Sequence, residues 1–231
     1  MINKEIYIIG IGGIGSFLLN LIDKNEFLFP YDTKINLIDG DKLEKKNLSR
    51  QLFSKYGIGK FKTDLLVSQY KHRNLISIPN YIDDTFIFSD NSIIFSCVDN
   101  NGTRNNLLKA CDSQNFSLII GGNEEIDAES YIYFRDWQNT LKDPRKYYPD
   151  LLKFDPENPI LPNRCISNYS INQTALANSL ASNYMVFLYN LYFHELETRN
   201  LEINYLPYKI NNTYGKIFSQ KNEVKIWNLT I

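Results

Sequence analysis

Six residues constrain this chain more than any others. Gly10-Ile11-Gly12-Gly13-Ile14-Gly15 fits the pattern G-x-G-x-x-G. An apolar, β-branched run over residues 5–9 precedes it. Ile14, Phe17, Leu18, Leu21 and Ile22 follow at i, i+3, i+4, i+7, i+8. The run predicts a buried strand, and the spacing predicts the apolar stripe of an amphipathic helix. Glycines between them permit a tight turn and close backbone approach. The helix start offers unpaired N–H groups and partial positive charge to a phosphate. This element fits nicotinamide, flavin and ATP users alike, and a tight turn that binds nothing is its bland reading.

The same alternation continues. Strands are expected over residues 34–39, 75–82, 92–98 and 117–121, and helices over 60–73 and 103–115. Such alternation argues for an α/β fold: a Rossmann-like, doubly wound, mostly parallel sheet with helices on both faces. After Gly122 the rhythm changes. A strand is expected over residues 129–135. Five of the eight prolines then fall between Pro144 and Pro162, marking a long connection. One long helix is expected over residues 170–195, small-residue-rich first (Ala175, Ala177, Ser179, Ala181, Ser182) and aromatic later (Tyr184, Phe187, Tyr189, Tyr192, Phe193). Its aromatic stripe reads as buried core. Residues 201–210 and a hairpin across Gln220-Lys221-Asn222 should add C-terminal antiparallel strands at the sheet edge. The expected organisation is a core over 1–135, a proline-rich crossover over 136–169, and 170–231 completing the same domain.

Composition excludes several classes. Among 231 residues, 25 Lys and Arg against 26 Asp and Glu leave a net charge of −1, without the basic excess of a phosphate-neutralising nucleic-acid binder. The apolar run from Tyr184 to Phe193 is interrupted by Asn190 and is far short of the roughly 20 residues a membrane span needs. The first residues do not read as a signal peptide, and three cysteines, an odd number, make no disulfide framework. A cytoplasmic location is the expectation.

The specific signal lies further on. Asp39-Gly40-Asp41-Lys42-Leu43-Glu44-Lys45-Lys46-Asn47-Leu48-Ser49-Arg50-Gln51 contains D-x-D-x-x-x-x-x-N-L-x-R-Q. Gly59-Lys60-Phe61-Lys62 gives G-x-x-K at a helix start, and Asp99-Asn100 followed by Thr103-Arg104-Asn105 ends the fourth strand. With the glycine loop, these motifs over residues 4–123 resemble the ThiF/MoeB/HesA superfamily, the adenylating domain of ubiquitin-activating enzymes. The later features, Tyr147-Tyr148-Pro149-Asp150-Leu151, Arg164-Cys165-Ile166-Ser167 and the small-residue helix, are similar to compact bacterial ThiF-like proteins of the PRTRC type.

That resemblance implies a reaction in which ATP and a protein C-terminal carboxylate give an acyl-adenylate and pyrophosphate. It implies ATP and Mg²⁺ as cofactors. It implies a ubiquitin-like or sulphur-carrier partner with a small-residue Gly-Gly tail, a homodimer, and possible hand-over to a conjugating enzyme. No membrane or nucleic-acid partner is expected. By position, Gly10, Gly12, Gly13 and Gly15 would meet phosphate, and Asp39 the ribose, with Asp41 in the same site. Asn47 and Gln51 would contact phosphates, Arg50 and Lys62 would offset charge on them, and Asp99 would hold Mg²⁺. The bland readings are solvated charges for Arg50 and Lys62, a loop acid for Asp39 and a helix cap for Asp99. Arg104 is expected either to buttress the site through a salt bridge or to touch ligand.

Cys97 and Cys111 read as core residues. Cys165, beside Arg164 in the crossover, is the candidate acyl acceptor, a structural cysteine being the alternative. No cysteine pair has zinc-ligand spacing, so the two C-x-x-C pairs of many members are not expected, nor is the N-terminal arginine that some homodimers insert into the partner's site. A peptide-adenylating or tRNA-modifying relative, and a non-catalytic nucleotide-binding partner, are the alternative functions. Nicotinamide or flavin chemistry would leave N-L-x-R-Q and G-x-x-K without purpose.

Overall fold

In the computed structural model, residues 4–123, 126–152, 174–196, 203, 206–212, 216–218 and 225–226 are described. The wholly buried run Ile6–Ile9 forms β1. Helix α1 spans Gly13–Lys24, and Ile35–Ile38 forms β2. Then come α2 at Lys62–Gln69, β3 at Leu75–Ile78, β4 at Ser92–Ser96, α3 at Asn101–Ser113 and β5 at Phe116–Asn123. The chain continues with β6 at Ala128–Tyr133, α4 at Ala175–Asn190, and β7, β8 and β9 at Lys209–Asn211, Lys216–Phe218 and Lys225–Ile226.

Among the described residues the strands make one sheet in the order β3-β2-β1-β4-β5-β6-β7-β8-β9. The first five are parallel, and β6 onward run antiparallel to their neighbours. This is the doubly wound order expected from the alternation. Right-handed crossovers running outward in both directions from β1 place helices on both faces. The strand order reverses between β1 and β4, so the loops after β1, β2 and β4 share one sheet edge, where such folds bind ligands. β8 and β9 pair across residues 220–222, as the hairpin expectation required.

The small residues of α4 explain its placement. Ala177, Asn178, Ala181, Ser182 and Met185 are buried, and the Ser182 hydroxyl donates to the Ile14 carbonyl at 2.9 Å. A Cβ on Gly121 would come within 2.6 Å of Met185 Sδ, so glycine there lets the Met185 side chain pack directly on β5. Cys97 and Cys111 are buried, as expected, and burial pushes the Cys111 thiol up to about 12.

Several boundaries differ from expectation, each for a local reason. Helix α2 stops before Tyr70, because Arg73 is drawn toward α1. Its guanidinium donates to the carbonyls of Ile22, Asp23, Phe29 and Pro30 and to the Asp23 carboxylate. β3 ends at Ile78 because Pro79 cannot donate to a ladder. The long helix is α-helical from Ala175 and finishes in a π turn over Leu191–Glu195; residues 170–173 lie outside the described residues. Its aromatic stripe is not all core, for Phe187 is 43% exposed. β7 starts at Lys209 rather than near 201. No described helix is long and apolar enough to cross a membrane.

Glu5, at the entry to β1, carries a pH prediction. It accepts from Lys34 at 2.8 Å, Asn36 at 2.7 Å and Ser89 at 2.8 Å. Burial alone would raise its pKa, but these donors outweigh burial and hold the carboxyl down to about 2 from 4.5. A folded pKa below the unfolded one stabilises the fold above about 4.5, and the gain disappears as pH falls through about 2. Between those pH values the wild type should lose melting temperature more steeply than Glu5→Gln. Parallel curves would show that Glu5 carries none of the acid limb.

Candidate active site

The glycine loop is built as its sequence requires. Gly10 has φ of +87°, and a Cβ there would sit 3.0 Å from the Cys97 carbonyl. A Cβ on Gly15 would lie 2.1 Å from the Gly10 oxygen. Gly12 is the N-cap of α1 and has no side chain to cap it, so among the described residues the helix start keeps N–H donors for an anion.

Asp39 follows β2 and faces this loop. Its two oxygens accept from the backbone N–H groups of Ile11 at 2.6 Å and Asp41 at 2.7 Å. Each carboxylate oxygen retains a second lone pair, so hydroxyl donors can still be accepted. Burial pushes its carboxyl above the ordinary range and Asp41 adds to this, opposed by Lys62 and the two N–H donors. A buried acid woven into the glycine turn is not a loop acid.

Asp41 and Lys62 are brought together by a short antiparallel contact. Leu43 N–H donates to Lys60 O at 2.9 Å and Lys62 N–H to Asp41 O at 3.1 Å, with Gly59 at φ +87° making the turn. Lys62 opens α2 and is 4% exposed. Its ammonium lies 2.7 Å from Asp41 Oδ2 and 4.0 Å from Asp39 Oδ2. The surface-charge reading of Lys62 therefore fails. Asp41 is also held by Tyr81, whose hydroxyl donates to Oδ1 at 2.5 Å. Burial raises the Asp41 carboxyl, but the Lys62 and Tyr81 bonds bring it below the ordinary value.

Asn47 is buried, and its visible role is local. Its Oδ1 accepts from Glu44 N–H at 2.9 Å, and its carbonyl takes the N–H groups of Arg50 and Gln51. It thus folds the turn that carries Arg50 and Gln51. Gln51 is 6% exposed, and its Oε1 has no hydrogen-bond partner among the described residues. Its Nε2 lies 3.7 Å from the point a Gly12 Cβ would occupy. A buried amide oxygen without a partner among the described residues, beside the glycine loop, fits a site shaped around a polar ligand. Arg50 is half-buried in the same turn.

Asp99 lies three residues beyond β4, not at its end, and is exposed. It does not cap α3: Asn100 does, accepting from Thr103 N–H at 2.6 Å. One exposed carboxylate beside a phosphate loop suits Mg²⁺, which commonly takes one or two carboxylates together with substrate phosphates. Arg104 buttresses through carbonyls, not through a salt bridge. It donates to Val98 O at 3.1 Å and Gly121 O at 3.2 Å, tying the segment after β4 to β5. Cys165 and Arg164 lie outside the described residues.

Two residues of the site carried no motif. Asn178 on α4 is fully buried. Its Nδ2 donates to the Arg50 carbonyl at 3.0 Å, and its Oδ1 accepts from Asn123 at 3.0 Å. A Cβ on Gly13 would fall 2.3 Å from that Oδ1, so Gly13 is glycine because Asn178 is there. Tyr81 is the other. Only its partners reveal either, since Asn178 is 128 residues from Arg50 and Tyr81 40 from Asp41.

Comparisons with known proteins bear on the fold and the family. The E. coli MccB structure with ATP superposes with a TM-score of 0.64 at 22% identity, covering 94% of this chain and 64% of that one. MccB with AMPCPP and MccA gives 0.60 at 21%, covering 82% and 56%. PaaA gives 0.55 at 15%, covering 81% and 55%. At these identities the likeness establishes the fold, and the chain spans less than two thirds of each of those proteins. Comparison with curated proteins yields no match. The ThiF family matches residues 2–222, nearly the whole sequence, and the chain belongs to that family.

Proposed function

We propose that this protein uses ATP to adenylate the C-terminal carboxylate of a ubiquitin-like or sulphur-carrier protein. The observation that carries the reading is Lys62, an ammonium 4% exposed and set between two acids beside an uncapped glycine loop. A cation so deep, next to anion-binding N–H groups, is arranged for a polyanion rather than for solvent. Membership of the ThiF family supports the choice of ATP.

In this reading the glycine loop and the start of α1 bind the phosphates, and Asp39 accepts from the ribose hydroxyls. A carboxylate oxygen of the carrier forms a bond to the α-phosphorus as the bond to pyrophosphate breaks. Negative charge grows on the phosphate oxygens, and Arg50 and Lys62 offset it from fixed positions. Asp99 would hold Mg²⁺, which when bound supplies further charge neutralisation on the phosphates. Arg104 holds the segment that carries Asp99 against β5. The product is an acyl-adenylate. A thiolate at Cys165 would then attack the acyl carbon, releasing AMP and leaving a thioester for a conjugating enzyme or a sulphur donor.

A side chain near the α-phosphorus would collide with the closely approaching loop, so the tail should end in small residues, Gly-Gly in the simplest case. A two-fold homodimer is the assembly we propose. The test follows pyrophosphate release with intact carrier, with carrier lacking its last two residues, and with the free tail peptide. Release with intact carrier alone supports a carrier-directed enzyme. Equal release with truncated carrier refutes tail-directed adenylation. ATP binding with no release under any condition indicates a nucleotide-binding partner instead.

A further inference from the structure

The chain leaves β3 at Ile78, turns at Pro79-Asn80, and lays the Tyr81 ring directly on Gly40. A Cβ on Gly40 would come within 2.5–2.8 Å of three ring atoms, so the glycine between Asp39 and Asp41 is the residue that admits the ring. The packing aims the hydroxyl at Asp41 Oδ1, 2.5 Å away, while Asp41 Oδ2 takes Lys62. The two ends of this chain differ in exposure. The Lys62 side chain is 4% exposed, the Asp41 side chain 49%. A carboxylate half in water has no packing to keep it facing inward. Its hydrogen bonds must do so, and among the described residues Tyr81 supplies the one that does not come from Lys62 itself.

We propose that Tyr81 is a positioning residue for Lys62, acting through Asp41. Its hydroxyl pins the Asp41 carboxylate, and the pinned carboxylate sets the place and direction of the ammonium that lies 4.0 Å from Asp39. The value of this for catalysis rests on the reading of Lys62 as a phosphate-binding group. The pinning itself does not. A tyrosine that only packed the loop would act through its ring, and phenylalanine would replace it fully.

Tyr81→Phe, Asp41→Asn and the double variant therefore test the proposal in the whole protein. The first readout is independent of turnover: the rate at which acetic anhydride labels Lys62, resolved by mass spectrometry and scaled to the 72%-exposed Lys24. Wild type should label slowly. Tyr81→Phe should raise labelling about fivefold or more, as expected for the loss of a hydrogen bond to a charged group. Asp41→Asn should raise it at least as far, and the double variant no further, because both changes release the same ammonium. The second readout is pyrophosphate exchange, where Tyr81→Phe should lower kcat about tenfold with KM for ATP changed much less. Unchanged labelling in Tyr81→Phe, or additive effects in the double variant, overturns the proposal. The expected labelling pattern in a protein without exchange upholds the positioning role and defeats the adenylation reading.

Discussion

Lys62→Ala is expected to lower ATP–pyrophosphate exchange about 100-fold or more, the usual scale for removing a preorganised charge from a developing anion. The ammonium is held 2.7 Å from Asp41 and 4.0 Å from Asp39 and is almost wholly out of water. Water filling its place would screen charge but would have to reorient as the charge moves. Asp39 and Asp41 would then face the phosphates without their cation, adding repulsion to the loss. The fold should survive, because Asp41 is half-exposed and can be solvated and Asp39 keeps its two N–H donors. Near-native melting with exchange at the wild-type rate would remove Lys62 from the chemistry.

Gly15→Ala should be the most damaging single methyl group in the molecule. Its Cβ would sit 2.1 Å from the Gly10 carbonyl oxygen, backbone against backbone. Gly10 cannot retreat. Its N–H is bonded to Ile38 O at 2.9 Å, its φ is +87°, and its own flank lies against Cys97. Either the loop or the first turn of α1 must move, at a cost of about 2–3 kcal/mol, within the usual range for overpacking. For a chain of this size that is a fall of about 5–10 °C in melting temperature. Nucleotide affinity should fall as well, since the displaced groups are the N–H donors. Gly12→Ala is the control: its nearest neighbour among the described residues would be Gln51 Nε2 at 3.7 Å, an ordinary contact. Scanning calorimetry that finds the two variants equally stable would contradict the geometry of the loop.

The parts of the site that could be read in the sequence are those whose chemistry is local. A strand, four glycines and a helical stripe lie within about 20 residues, and Asp39, Asp41, Asn47, Arg50, Gln51 and Lys62 are fixed by spacing along one segment. The doubly wound order followed from strand and helix alternating, because right-handed crossovers leave few other topologies. Residues that act across the fold left no such trace. Asn178 falls in the expected small-residue helix and Tyr81 in the strand expected over residues 75–82, and neither position carries a signal of its own. Their partners are set by how α4 crosses α1 and how the chain turns after β3. Asp99 was placed at the end of its strand, but the ladder ends at Ser96 and the acid stands free of it. The exposure of Phe187 was hidden for a similar reason: a stripe identifies a helix face, not how far the neighbouring elements cover it.

The central claim is that a carboxylate oxygen becomes bonded to the α-phosphorus of ATP at this site. Isotope labelling tests it directly. The carrier is prepared with ¹⁸O in its C-terminal carboxylate and incubated with the protein, ATP and Mg²⁺, and a thiol or hydroxylamine is added to attack the acyl carbon. The AMP is then weighed by mass spectrometry. Attack at the α-phosphorus leaves one carboxylate oxygen in the AMP phosphate, so labelled AMP is the expected product, lost in the Lys62→Ala protein. Unlabelled AMP, or label appearing in inorganic phosphate with ADP as co-product, would contradict the account.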